Sequence, residues 1–181
     1  LSQQVGKWIY ILNLPLFFFM VAFPGAVLNI LFGSDYLGAT DVLRVLAIGG
    51  MLASLNALFM NLLSMQGKSR VIMIDILSVS ALDLVLNIIL VPRYGLYGAA
   101  LSTTLSLALL GLLMFIQVKK STGIVPLRRK MWRVTVAAAL PAAGLLVVKE
   151  LFAPSFLLLI IAGILFVFSY LILIIATRSL D

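Results

Sequence analysis

The chain has 181 residues, of which 64% are hydrophobic and 10% charged, and so little polar surface cannot cover a soluble globule of this size. It has no cysteine and no histidine, which excludes disulfides, thiolate chemistry, imidazole general bases and the usual zinc ligands, so no cofactor or metal is expected. The formal net charge of +7 gains a meaning only from where the basic residues fall along the chain.

The apolar residues come in long runs without the strict alternation of barrel strands, and a run of about 20 is what a helix needs to cross the hydrocarbon. The expected fold is therefore all-α, a polytopic transmembrane helical bundle of about six spans. The chain begins with Leu1, and the apolar run from Trp8 to Leu31 is too long for a signal-peptide core. Both features suggest a piece of a longer protein.

The first span is expected at 7–31 and contains Pro15 and Pro24. Each proline removes a backbone hydrogen bond and clashes with the preceding turn, so a kink or a break is expected there. A polar, turn-rich connection, FGSDYLGATD, covers 32–41. The second span, 42–65, carries Gly49, Ala53, Ala57 and Asn61 at four-residue spacing, which reads as a close-packing seam. Asn56 and Asn61 stand out on it, because an amide in hydrocarbon needs a partner or a wet cavity.

A short QGKSR loop leads to the third span, 71–91. Asp75, Asp83 and Asn87 fall within an arc of roughly 120° on this helix. Asp83 lies close to the midpoint, where a carboxylate costs on the order of 2.5–3.5 kcal/mol to insert, so it should face protein or water and not lipid. Two roles suit it: a hydrogen-bonded tie to a neighbouring helix, or a polar pathway group that meets substrate or a proton. Pro92 to Gly95 turn the chain back into the fourth span, 95–118, with Gly98, Ser102 and Ser106 as a further small-residue stripe. The short turn makes spans three and four antiparallel neighbours, so Asp83 and Asn87 can meet Ser102, Thr103 or Thr104.

A basic stretch from Lys119 to Arg133 includes Arg128, Arg129 and Lys130, and spans at 132–148 and 156–176 follow it. With six alternating spans, one side carries Lys7, Lys68, Arg70, the six basic residues of that stretch and Arg178, while the other carries only Arg44, Arg93 and Lys149. Ten against three is a positive-inside bias that puts both termini in the cytoplasm. The bias accounts for the net charge, and nucleic acid is not an expected partner. Arg93, Arg44, Arg128, Arg129 and Lys130 are candidates for contact with an anionic lipid or substrate headgroup.

Four features occur in a distinctive order: LFGSDYLGA (31–39) followed by DVLRVLAI (41–48), MQGKSR (65–70) between two helices, LNIILVPRYGLYGAALSTTLS (86–106), and a helix ending in Lys119-Lys120. Together they resemble the C-terminal half of polysaccharide and oligosaccharide-lipid flippases, the O-antigen transporter type within the multidrug/oligosaccharidyl-lipid/polysaccharide exporter superfamily. The resemblance covers about half the chain. It implies that 1–120 forms the last four helices of a second transporter bundle, followed in 121–181 by the basic loop and two further helices. It also implies translocation of a polyprenyl-linked oligosaccharide across the cytoplasmic membrane by alternating access, with a missing N-terminal transporter portion as partner.

A flippase needs a hydrogen-bonding lumen, for which Asp83, Asn87, Asp75, Asn61 and Asn56 are the candidate lining groups. The other readings are a cation-coupled multidrug exporter of the same superfamily and a structural membrane subunit. Enzymatic activity is not expected, since Asp75 and Asp83 lie about 12 Å apart along a helix, too far for a cooperating acid–base pair.

Overall fold

The computed structural model describes residues 13–122. The expected spans at 132–148 and 156–176, and with them Arg128, Arg129 and Lys130, lie outside those residues.

Two helical segments open the described region, α1, described over Asn13–Ala22, and α2 (Pro24–Phe32), and they meet at 94°. The break falls on Phe23, whose φ of −124° and ψ of 49° are non-helical. Pro24 causes it, since a residue before proline is pushed out of the α region and proline itself suits the first turn of a new helix. Phe23 and Ala22 are buried at the bend under Phe18, Phe19 and Ala26. At nine residues, about 13 Å, α2 alone does not span a hydrocarbon core of about 30 Å, and α2 with α1 together can form one broken span. The expected polar connection is a 3-10 helix, Ser34–Ala39.

Helix α3 (Thr40–Met65) follows, two residues longer at its start than the expected span. It ends in a Schellman arrangement: Lys68 donates its backbone N–H to the Leu63 carbonyl, Gly67 donates to Ser64, and Gly67 has the φ of 71° that this cap requires. A link of three residues, Gln66, Gly67 and Lys68, leads into α4 (Ser69–Thr122).

Helix α4 is not one rod. Gly95 has φ 58° and ψ −136° inside it, a pair of angles that side-chain-bearing residues avoid. Ser102 lies 15 residues from Asn87, and Ser106 lies 23 from Asp83, yet these pairs hydrogen-bond at 2.8 and 3.0 Å. In a straight helix they would stand about 22 and 34 Å apart. Residues 69–94 and 96–122 are therefore two antiparallel arms folded at Gly95. Their approach at the fold is backbone to backbone: a Cβ on Gly98 would overlap the Leu90 carbonyl oxygen and sit 2.6 Å from its carbon.

The second arm packs in parallel beside α3. Thr104 reaches the Val45 carbonyl at 3.1 Å, Asn56 the Leu107 carbonyl at 2.8 Å, and Phe59 meets Phe115 edge-on with ring centroids 5.8 Å apart. At the far end Phe59, Leu63, Ile72, Met114 and Val118 form one buried cluster that joins all three helical segments. The directions of α3 and the two arms consequently alternate. Lys68, Arg70, Lys119 and Lys120 fall at the end with the apolar cluster, while Arg44 and Arg93 fall at the Gly95 end.

Both α3 and α4 are long and apolar enough to cross a membrane. Large side chains such as Leu77, Leu84, Ile88, Leu105 and Leu112 are exposed along the arms. Such contiguous apolar surface fits a lipid environment and not water.

Candidate functional site

The Gly98, Ser102, Ser106 stripe is the face that the second arm turns towards the first. Small residues there let the arms approach, and the two hydroxyls meet the polar groups of the opposite helix. Ser106 Oγ donates to Asp83 Oδ1 at 3.0 Å. Ser102 Oγ lies 2.8 Å from Asn87 Oδ1 and 2.9 Å from the Ala99 carbonyl, so its one proton is shared between them. Asn87 Nδ2 donates in turn to the Asp83 backbone carbonyl at 2.9 Å. Ser102 and Ser106 are buried, whereas Asp83 and Asn87 are half-buried. The result is a polar ladder of four side chains about two to three turns from the fold at Gly95. The second oxygen of Asp83 accepts no hydrogen bond among the described residues.

The other candidates fall elsewhere. Asn56 is buried between α3 and the second arm, where its amide fills the space above Gly111. A Cβ on Gly111 would collide with Asn56 Oδ1 and come within 3.4 Å of Cγ. Asn61 is exposed, one turn from the end of α3, and shares no hydrogen bond with the ladder. Asp75 is buried near the start of the first arm, and its Oδ2 has no partner among the described residues; Gln117 Oε1 is in the same condition. Arg93 is exposed at the fold. Arg44 is paired with Asp41 at 2.8 Å, one turn into α3. Thus the hairpin brings Asp83 and Asn87 together with Ser102 and Ser106, but not with Asn56, Asn61 or Asp75.

Sequence reading passed over several partners. Asn13 Nδ2 donates to Ser54 Oγ at 2.8 Å, tying α1 to α3, and Ser54 donates to the Gly50 carbonyl at 3.0 Å. Gln117 is the only amide in the second arm and could have been flagged on that ground. The Asp41–Arg44 pair was visible as an i,i+3 spacing.

The chain is 31% identical over 101 residues to an uncharacterized membrane protein of Methanocaldococcus jannaschii, a match covering 56% of this chain and 20% of that protein. It is 33% identical over 99 residues to the probable low-salt glycan biosynthesis flippase Agl15 of Haloferax volcanii, covering 54% of this chain and 21% of that one. The matched part of the chain therefore spans about a fifth of the length of each relative. No family model matches, and no solved structure does. Neither relative is named as an enzyme. Together with the two long apolar helices, the relatives support a membrane location and a likeness to flippase-type membrane proteins.

Proposed function

We propose that the chain is part of a membrane transporter that translocates a lipid-linked glycan, with the Asp83, Asn87, Ser102, Ser106 ladder as part of the polar path. The observation that carries this is the ladder itself. Four hydrogen-bonding side chains are gathered within a hairpin whose outer surface is apolar, and the second Asp83 oxygen has no partner among the described residues. A half-buried set of polar groups in an apolar hairpin supplies the hydrogen bonds that sugar hydroxyls need. The name of the Haloferax volcanii relative supports the glycan as cargo.

On this reading the end bearing Lys68, Arg70, Lys119 and Lys120 is cytoplasmic, by the preference of basic residues for that side. The fold at Gly95 then lies at the outer surface, and 1–120 supplies the last four helices of a second transporter bundle. The rest of the transporter completes the cavity.

The test is glycan export by cells carrying Asp83→Asn or Asp83→Leu in the full-length protein, with membrane abundance measured alongside. Leucine is expected to abolish export and asparagine, which keeps an acceptor, to reduce it. Full export by the leucine variant at normal abundance refutes the pathway role.

A further inference from the structure

At the Gly95 end, the start of α3 and the second arm enclose an open groove of about 440 Å³ lined by Gly38, Asp41, Val42, Arg44, Val45 and Tyr97. Its size falls within the range of about 300–1,000 Å³ usual for small-molecule sites. We propose that this groove binds a sugar ring; the identification of that sugar as part of the transported glycan rests on the flippase reading.

The chemistry of the lining selects the ligand. Arg44 Nη1 holds Asp41 Oδ1 at 2.8 Å, and the two side chains are 43% and 74% exposed. The pair carries no net charge, yet the guanidinium keeps N–H donors to spare and Asp41 keeps its second oxygen as an acceptor. A hydroxyl both donates and accepts, so adjacent hydroxyls of a sugar satisfy both members of the pair. A fully ionised phosphodiester or pyrophosphate linkage, as in a lipid headgroup, offers only acceptors and would meet the Asp41 charge beside the guanidinium that attracts it. Arg44 therefore suits a neutral polyhydroxyl better than an anionic headgroup.

The apolar part of the lining fits the same ligand. Tyr97 is 40% exposed and presents an aromatic ring, and Val42 and Val45 supply aliphatic surface, against which the C–H faces of a sugar can rest. Gly38 borders the groove, and a Cβ there would meet nothing within 4 Å.

The experiment uses the full-length protein in lipid nanodiscs, with methyl glycosides of a hexose and of an N-acetylhexosamine as probes and saturation-transfer NMR as the readout. Saturation of the ring protons is expected in the native protein, undiminished by inorganic phosphate. It should persist in Tyr97→Phe, weaken about fivefold in Tyr97→Ala, and weaken about tenfold in Arg44→Gln. Asp41→Ala, which removes the acceptor of the pair, should weaken it about tenfold. No saturation in the native protein, displacement by phosphate, or unchanged binding in Asp41→Ala or Arg44→Gln overturns the proposal. If Tyr97→Ala does not reach the membrane, those last two variants decide the matter. Glycan export measured in parallel separates the two readings: export without sugar saturation defeats the subsite alone, and saturation without export defeats the flippase reading alone.

Discussion

Substituting Gly98 by alanine tests the hairpin most directly. The added Cβ would overlap the Leu90 carbonyl oxygen and stand 2.6 Å from its carbon and 3.1 Å from the Val91 nitrogen. All three are backbone atoms, so no rotamer change relieves the contact. Restoring an ordinary separation of 3.4 Å to the carbon needs a movement of about 0.8 Å. Carried rigidly to the next turn, that movement stretches the Ser102–Asn87 contact from 2.8 Å to about 3.6 Å, beyond hydrogen-bonding range. Overpacking of this kind costs about 1–3 kcal/mol, and the lost hydrogen bond adds about 1 kcal/mol. Alanine recovers up to about 1 kcal/mol of helix propensity over glycine, so the net loss is about 1–3 kcal/mol. Reversible unfolding of the full-length protein in mixed micelles, titrated with denaturing detergent, measures this difference. A Gly98→Ala protein as stable as the native one refutes the backbone-to-backbone approach of the arms.

Gly95→Ala should cost about 1–3 kcal/mol in the same assay through backbone strain alone, while leaving room at Gly98 untouched. Gly111→Ala should destabilise by displacing Asn56 from the Leu107 carbonyl, and Asn56→Ala in the same chain should restore at least half of the loss; additive effects would separate the two residues. Asp75→Leu should leave stability unchanged or raise it, because it removes a buried oxygen that has no donor among the described residues; a loss of about 1 kcal/mol or more would reveal a partner for that carboxylate. Single cysteines placed at Lys68 and Arg93 in a cysteine-free background should react with a membrane-impermeant thiol reagent from opposite sides, Arg93→Cys from outside the cell; labelling from one side overturns the alternation of α3 and the two arms.

The long helices were legible because the apolar runs of 42–65, 71–91 and 95–118 match the requirement of a bilayer more closely than any loop can. The reversal between the last two runs was legible from Pro92 and Gly95, although the break itself rests on Gly95 while Pro92 stays within the helix. The four-residue stripe of Gly98, Ser102 and Ser106 predicted the packed face, and Ser102 is the expected partner of Asn87. Thr103 and Thr104 were equally good partners on paper. Only the rotation of the second arm decides between them, and it turns Thr104 to α3 and Ser106 to Asp83. The roles of Asn56 and Gly111 were hidden for a similar reason: a glycine in one helix and an amide in another, 55 positions apart, carry no local sign that one fills the space above the other.

Access separates the two intramembrane acids. Asp75 was placed with Asp83 on one arc of the first arm, and the arc is real, but depth in the packing differs. Asp75 Oδ2, which has no partner among the described residues, is buried, one turn along the first arm from Ile72 of the apolar cluster. Asp83 lies on the half-buried edge of a seam, with Oδ1 held by Ser106 and its second oxygen without a partner among the described residues. The Ser106 hydroxyl fixes the orientation of the carboxylate without satisfying it. A group held in one direction with one lone-pair set unspent is placed to accept from a passing hydroxyl at little entropic cost. That arrangement ties the hairpin together and is compatible with the proposed polar path, so two roles that looked like alternatives when only its position in the helix was known do not exclude each other.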